Sequence, residues 1–224
     1  MIIPSDKVDT RAIELKNVEK WARANNLTLN RAKCAEIIFH DTRRKRQLVM
    51  PPPLSDIPRV QSIKVLGVTI TSSLSVAEHV NKVNCTSAQT VHTLRLRRAH
   101  GMTNESLQIV AVIIAKLTYA VSAWWGYTSA ADRQRLEAVV RRAKRTHLCS
   151  NDVPTLAKLV ERADDDLFDK ILSNPHHVLY NILPDETVTF YGLRTRCHNR
   201  ELVDKTSRLV QSSFLARMLY KDIY

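Results

Sequence analysis

Apolar residues recur at helical spacing through almost the whole chain after Ser75, and this period restricts the larger, C-terminal part to a helical fold. Gly101 and Gly126 interrupt the pattern, as residues that end helices do. Thr103 and Ser129 are of the type that begins helices, because a side-chain oxygen can accept a backbone N–H there. The predicted helices span residues 75–98, 104–124, 130–148 and 154–173, with shorter ones at about 176–183 and 213–222.

The chain before Ser75 mixes helical and extended patterns. A first helix is predicted over about residues 8–25. The β-prone run 34–39 is expected to pair with residues 47–50 as a hairpin, and a second β-prone run, 62–70, contains Gly67. The sequence therefore predicts an α+β fold, in which a small β-containing part over residues 1–72 precedes a mainly α-helical region.

Composition excludes several classes of protein. With only four glycines, the chain has neither a G-x-G-x-x-G nor a Walker A loop, so enzymes with a mononucleotide or dinucleotide fingerprint are excluded. Its four cysteines are scattered and no secretory leader precedes them, so a disulfide framework is disfavoured and an intracellular location is expected. The apolar stretch 107–125 approaches the length of a bilayer span, but Lys116 lies at its centre. A core helix is expected there, and no membrane partner.

The chain is strongly basic, and its charged residues are unevenly distributed along the sequence. Lys and Arg number 34 against 22 Asp and Glu, a formal net charge of +12. Residues 1–149 carry a net +13, residues 150–186 a net −5 and residues 187–224 a net +4. Because 44% of residues are hydrophobic, the chain is expected to fold, and its anionic partner is expected to be nucleic acid before a membrane surface.

The predicted helix 130–148 concentrates this charge. An apolar stripe of Leu136, Val139, Val140 and Ala143 leaves its basic residues on the outer face, where phosphates can dock. The alternative is a charged face that is only solvated. The candidate nucleic-acid-binding residues are Arg95, Arg97, Arg98, Arg133, Arg135, Arg141, Arg142, Lys144 and Arg145. Residues 43–46, and a patch of Arg194, Arg196 and Arg200 with Tyr191 to stack on a base, extend the predicted footprint.

Three clusters resemble chemical sites but have a structural explanation. Residues 163–166 read Ala-Asp-Asp-Asp, yet adjacent side chains on a helix point about 100° apart and cannot chelate one ion, so a solvated acidic face is expected. Cys197 and His198, with the pair 176–177, lack the spacing of a zinc site, and no metal is predicted. Trp124 and Trp125, with Tyr119 and Tyr127, resemble an aromatic stacking platform, but they lie at the end of the most apolar helix and are expected in the core.

Two blocks of the chain resemble the end of the polymerase palm in non-LTR (LINE-type) retrotransposon reverse transcriptases. The first, residues 21–39, follows the family pattern W-x-x-x-N-x-L-x-L-N-x-x-K-T, and the second, residues 62–80, follows its K-x-L-G-V hairpin and the next helix. The matching residues are Trp21, Asn25, Leu27, Leu29, Asn30, Lys33, Lys64, Leu66, Gly67, Val68, Leu74 and His79. Cys34 and Val76 depart from the pattern, which has Thr and Trp there.

Four later segments are similar to the conserved tail of the same polymerases: residues 119–145, 167–184, 193–202 and 214–224. The resemblance implies three regions. Residues 1–72 would be the C-terminal remnant of the palm with a primer-grip-like hairpin, residues 73–150 a basic, thumb-like helical region, and residues 151–224 a helical tail.

For the complete family enzyme, the resemblance implies RNA-directed DNA synthesis with Asp side chains that hold two Mg²⁺ ions. Those aspartates would lie upstream of Met1, so this chain is expected to bind no cofactor and to be inactive alone. Lys33 matches a palm lysine near the leaving pyrophosphate, which donates a proton only in a complete polymerase; otherwise it is a surface lysine. Leu66, Gly67 and Val68 match the primer grip, or else form an ordinary hairpin.

The partners implied are an RNA or DNA template–primer duplex and the missing portion of the polymerase. Two alternatives stay open. One is a non-enzymatic, basic helical module that contacts an acidic protein or a polymerase fragment. The other is a translated relic of a decayed element, without function.

Overall fold

The computed structural model describes residues 1–40, 50–101, 106–187 and 198–221. The chain forms two compact units, one of residues 1–65 and 70–74, the other of residues 66–69 and 75–224. The described residues are mostly helical with one small sheet, which confirms the coarse α+β class. None of the helices in these ranges is long and apolar enough to cross a membrane.

The first unit contains the helix α1 (Arg11–Ala24), which follows a 3₁₀ segment at Ser5–Thr10 and confirms the predicted first helix. At the C-terminal end of α1, the Asn25 side chain donates to the Trp21 carbonyl. This bond closes the last turn and stops the helix where the apolar pattern stops.

The segment 34–39 pairs at one point with a part of the chain that was not expected to be its partner. Glu36 forms a single parallel bridge with Arg59. Of the expected partner strand, residues 47–49 lie outside the described part of the chain, and Met50 belongs to no strand. The expected hairpin therefore stays a prediction.

Two arginines hold Glu36 in place. Arg11 and Arg59 donate to opposite oxygens of the Glu36 carboxylate, at 2.6 Å and 2.8 Å. Both also donate to the Pro52 carbonyl, at 3.0 Å and 3.2 Å. Because the Glu36 side chain is only 9% exposed, its charge requires such partners, and they fix the segment against residues 58–60.

The sheet of the described residues is a hairpin of β1 (Ser62–Val65) and β2 (Val68–Thr71). Leu66 and Gly67 close it with φ of +47° and +89°, the φ pattern of a two-residue type I′ turn. Glycine takes such angles freely, whereas a left-handed leucine costs about 1 kcal/mol. The hairpin therefore carries a strained leucine at its tip, and that side chain is 85% exposed.

The second unit is helical. Its helices are α2 (Ala77–Ala99), α3 (Ser106–Thr118), α4 (Val121–Trp124), α5 (Ala130–Arg145), α6 (Leu156–Ser173), α7 (Arg208–Ser212) and α8 (Phe214–Leu219). Helix α2 packs on α3 and α5, and α6 packs on α4, α5 and α8. Trp124 is 1% exposed and Trp125 9% exposed, so both belong to the core as predicted, whereas the core prediction is wrong for Tyr119, which is 56% exposed.

The predicted helix 104–124 is broken into α3 and α4. Ala120, between them, has φ of +48°. The Trp124 indole donates to the Tyr119 carbonyl at 2.9 Å, which gives that carbonyl a partner where the helix ends. No glycine or proline marks this break in the sequence, so the apolar period alone predicts one continuous helix.

The last predicted helices are shorter than expected. Of 176–183, only a 3₁₀ turn at Tyr180–Ile182 forms, because the side chains of Asn174 and His177 accept the N–H groups of residues 176 and 179. The predicted helix 213–222 corresponds to α8 alone, which begins at the side-chain cap Ser213. The helix before it, α7, begins at the cap Ser207 and was not predicted.

Candidate nucleic-acid interface

The N-terminus of α5 is fixed by a reciprocal cap. The Ser129 hydroxyl accepts the Asp132 N–H at 3.1 Å, and the Asp132 carboxylate accepts the Ser129 N–H at 3.3 Å. This capping box satisfies backbone groups that the first turn leaves without partners. The predicted start of the helix at Ser129 is confirmed.

One stripe of α5 is buried. Leu136 is fully buried, and Val139, Val140 and Ala143 are each at most 5% exposed, as the apolar pattern predicts. Residues 141, 142 and 145 lie on the opposite side of the helix at 100° per residue. The buried stripe therefore fixes which basic residues of α5 face solvent.

Arg141, Arg142 and Arg145 are exposed, and the guanidinium group of each makes no hydrogen bond or ion pair within the described part of the chain. We call these three residues the α5 arginine face. The two acids of the helix are used elsewhere: Asp132 caps α5, and the Glu137 carboxylate accepts the Leu156 N–H at 2.8 Å at the start of α6. Within the described part of the chain, no acid therefore neutralises the positive charge of this face.

The other three basic residues of α5 have partners within the protein. Arg133 lies over the Trp125 ring, 5.0 Å from its centroid, and donates to the Thr128 hydroxyl at 2.9 Å. Burial, with the nearby Arg217 cation, lowers the pKa of Arg133. Arg135 donates to the Asn81 side chain at 2.7 Å.

Lys144 closes the loop that follows α5. Its ammonium group donates to the carbonyls of Asn151 and Val153, at 3.1 Å and 2.6 Å. Both acceptors lie just before α6. The structure thus gives Lys144 a structural partner that the sequence pattern does not show, and phosphate contact by this residue stays a prediction.

Of the remaining basic residues in the predicted footprint, some lie within the described part of the chain and others lie outside it. Arg95 and Arg97 lie on α2, where both are exposed, while the side chain of Arg98 lies outside the described residues. Residues 43–46 and the segment with Tyr191, Arg194 and Arg196 also lie outside them. Whether these groups join the α5 arginine face in one surface stays a prediction.

Arg200 differs from the expectation of an exposed phosphate contact. It is 9% exposed, pairs with Glu186 at 3.0 Å and donates to the Pro184 carbonyl at 3.2 Å. Its guanidinium also lies over the Tyr180 ring. These contacts tie the loop before α7 to the chain near residue 184, so Arg200 is a structural residue.

The hairpin residues Leu66, Gly67 and Val68 are brought to one place by the turn. Val68 is buried, whereas Leu66 projects into solvent. The Tyr119 hydroxyl donates to the Leu66 carbonyl at 3.0 Å, and its ring lies 3.5 Å from the position of a Cβ on Gly67. Contact of this tip with a primer strand stays a prediction.

Lys33 ends a 3₁₀ turn at Arg31–Lys33 in the first unit and is exposed. Within the described residues its ammonium group makes no hydrogen bond or ion pair. Its position fits a surface lysine and leaves the group accessible. A proton-donor role in a complete polymerase therefore stays a prediction.

The aspartates at 164–166 lie on α6, as the helical period predicts, but the expected solvated acidic face is wrong for Asp164, whereas the Asp165 side chain is 42% exposed. Asp164 is 4% exposed and pairs with Arg217 at 2.5 Å. Asp165 accepts from Lys221 at 2.6 Å. Asp166 is the exposed member of the three. The acids thus attach the C-terminal segment to α6.

His198 is a structural histidine. Its Nδ1 accepts the Arg200 N–H at 3.1 Å, so its Nε2 carries the proton and donates to the Leu219 carbonyl at 3.0 Å. The ring packs edge-on against Phe168. Both nitrogens are thus used within the fold, and Cys197 lies outside the described residues.

Two important residues, Tyr119 and Arg217, escaped the sequence reasoning as site residues. One signal for Arg217 exists: buried residues of α6 recur at 156, 160, 164, 168 and 171, and Asp164 occupies a core position in that series. A carboxylate at a core position requires a cation from another element. For the hydroxyl contact of Tyr119, the sequence holds no comparable signal.

Comparison with protein-family models, with curated protein sequences and with solved structures finds no match to this chain. Its function must be inferred from its own residues and their geometry.

Proposed function

We propose that this chain is the palm-end, thumb-like and tail portion of a non-LTR retrotransposon reverse transcriptase, and that it holds a template–primer duplex by its phosphates. The observation that carries the binding proposal is the α5 arginine face: three exposed cations opposite a buried stripe, with no partner among the described residues. The polymerase assignment is supported by the resemblance of the blocks at residues 21–39 and 62–80. The proposal gives the chain a binding role and no catalytic step of its own.

Arginine is suited to this role for a chemical reason. A guanidinium presents several N–H donors in a plane, which match the oxygens of a phosphate, and it keeps its charge at any physiological pH. Contacts to phosphates release condensed counterions and carry no sequence information. Binding is therefore expected to be sensitive to salt and tolerant of sequence.

The direct test replaces Arg141, Arg142 and Arg145 together by Ser and measures the affinity for an RNA–DNA duplex by fluorescence anisotropy. Removal of three phosphate contacts is expected to weaken binding by about ten-fold or more at moderate salt. Lys144 is kept, because its loss would release the loop before α6.

A matched control removes the same charge from another surface. Lys16, Lys20 and Arg23 are exposed on α1 and make no ion pair within the described residues. Their triple replacement by Ser lowers the net charge equally, and binding is expected to stay close to that of the unchanged protein. Equal losses for the two triple variants would mean that only net charge matters, which contradicts a defined site.

The non-enzymatic interaction module is favoured by a different observation. In the first unit, Ile13, Trp21 and Leu27 are 60%, 62% and 54% exposed, an apolar surface of the kind that protein partners cover. The same surface suits packing against the remaining portion of a polymerase. Two results together would favour this module over the duplex-binding proposal. Trp21→Ser would lose partner binding, and the α5 triple variant would bind duplex as tightly as the unchanged protein.

A further inference from the structure

The hairpin of β1 and β2 is too short for its own cross-strand contacts to make it stable. Two strands of four residues each form a marginal structure in water without a surface to pack on. The turn adds the strain of Leu66 at φ of +47°. A contact from elsewhere in the chain is required to keep the tip in one position.

Tyr119 makes that contact. Its hydroxyl donates to the Leu66 carbonyl at 3.0 Å, across 53 positions of sequence. Its ring lies beside Gly67, 3.5 Å from where a Cβ would be. The tip residues 66–69 accordingly belong to the same compact unit as Tyr119 and the helices.

Residues of the core hold the backbone of Tyr119 in place. The Trp124 indole, which is 1% exposed, donates to the Tyr119 carbonyl at 2.9 Å. The edge of the His79 ring packs against Trp124, with ring centroids 5.2 Å apart. A buried aromatic pair thus fixes the backbone of Tyr119, and the Tyr119 side chain fixes the turn.

We propose that Tyr119 is a positioning residue, which docks the hairpin tip on the helical unit so that the tip and the helices meet a duplex as one rigid surface. The docking rests on the contacts above, and the duplex-binding part rests on the proposed function. Without the Tyr119 hydroxyl, the tip would lose one of the contacts that hold it and would move more freely relative to α2 and α5, so binding would have to order it.

The test uses Tyr119→Phe, which removes one hydroxyl from a side chain that is 56% exposed and keeps the ring beside Gly67. Hydrogen exchange of the amides of residues 65–69 is expected to become about five-fold faster, the effect of losing one ordinary hydrogen bond. The control is Tyr127→Phe, because the Tyr127 hydroxyl makes no hydrogen bond within the described residues. This variant is expected to leave the exchange of residues 65–69 unchanged.

The second readout is the affinity for an RNA–DNA duplex with a recessed 3′ end, in the full chain. Tyr119→Phe is expected to weaken it about three-fold, and Tyr127→Phe to leave it unchanged. Unchanged exchange at residues 65–69 would overturn the docking role. Faster exchange with unchanged affinity would overturn the coupling to binding. If the unchanged protein binds no duplex, the proposed function fails, and the exchange data still decide whether Tyr119 docks the tip.

Discussion

The Arg217 guanidinium of α8 donates to the Asp164 carboxylate of α6 at 2.5 Å, across 53 positions of sequence. A second guanidinium nitrogen donates to the Ser122 carbonyl of α4 at 3.1 Å. The carboxylate side chain is 5% exposed, and Arg217 is the cation that pairs with it among the residues described. A single arginine therefore joins three helices of the second unit.

Replacement of Asp164 by Ala is expected to lower the free energy of unfolding by about 3 kcal/mol, because it leaves a largely buried guanidinium without its counter-charge. Urea unfolding followed by circular dichroism measures this loss. Asp166→Ala is the matched control, since Asp166 is an exposed acid two positions away on α6, and its effect is expected to stay within about 0.5 kcal/mol. Similar losses for the two variants would show that the pair does not join the helices.

Gly126 is expected to tolerate no side chain. A Cβ there would lie 1.8 Å from the Ser212 carbonyl oxygen, a backbone atom in α7. Gly126→Ala must displace this segment and is expected to cost about 3 kcal/mol by overpacking. Gly101→Ala meets no atom within 4 Å but has φ of +85°, and is expected to cost about 1 kcal/mol. Thermal unfolding ranks the two, and a larger loss for Gly101→Ala would contradict the close approach of Ser212.

Acid is expected to destabilise the helical unit through His79. Burial, with a smaller contribution from Lys82, lowers the pKa of His79 below its ordinary value of 6.5, and no partner among the described residues meets its buried Nδ1. The unfolded chain therefore takes up a proton at this residue before the folded chain does, so stability falls as the pH falls below about 6.5.

The measurement is the unfolding free energy at pH 7.5 and at pH 5 for the unchanged protein and for His79→Phe, which keeps a ring against Trp124. Since all other residues are the same in the two proteins, the difference between them reports His79. The variant is expected to lose less stability on acidification. Equal losses would show that protonation of His79 is not coupled to folding.

The local features of this chain were predictable, because their causes lie within a few residues. The Ser129 cap needs only Asp132 three positions later, and the buried stripe of α5 follows from the spacing of Leu136, Val139 and Val140. The tip of the hairpin lies at Gly67, the glycine inside the β-prone run 62–70. Each of these is a relation within one helix or one turn.

The parts that sequence reasoning missed depend on distant partners. The break at Ala120 contains no helix-breaking residue and coincides with the bond of the Trp124 indole to Tyr119. Lys144 is one more basic residue by pattern, yet its ammonium group binds two carbonyls before α6. Asp164 is one of three adjacent acids, and only Arg217, far along the chain, distinguishes it. Such partners are set by packing, which a single sequence does not reveal.

The salt dependence of duplex binding tests the central proposal most directly. For B-form DNA, the slope of log affinity against log salt concentration changes by about 0.9 for each phosphate contact. Replacement of Arg141, Arg142 and Arg145 by Ser is therefore expected to reduce the slope by about 2.7, while the α1 variant with Lys16, Lys20 and Arg23 replaced keeps the slope of the unchanged protein. An α5 variant whose slope equals that of the unchanged protein would contradict the proposal that the α5 arginine face binds phosphates.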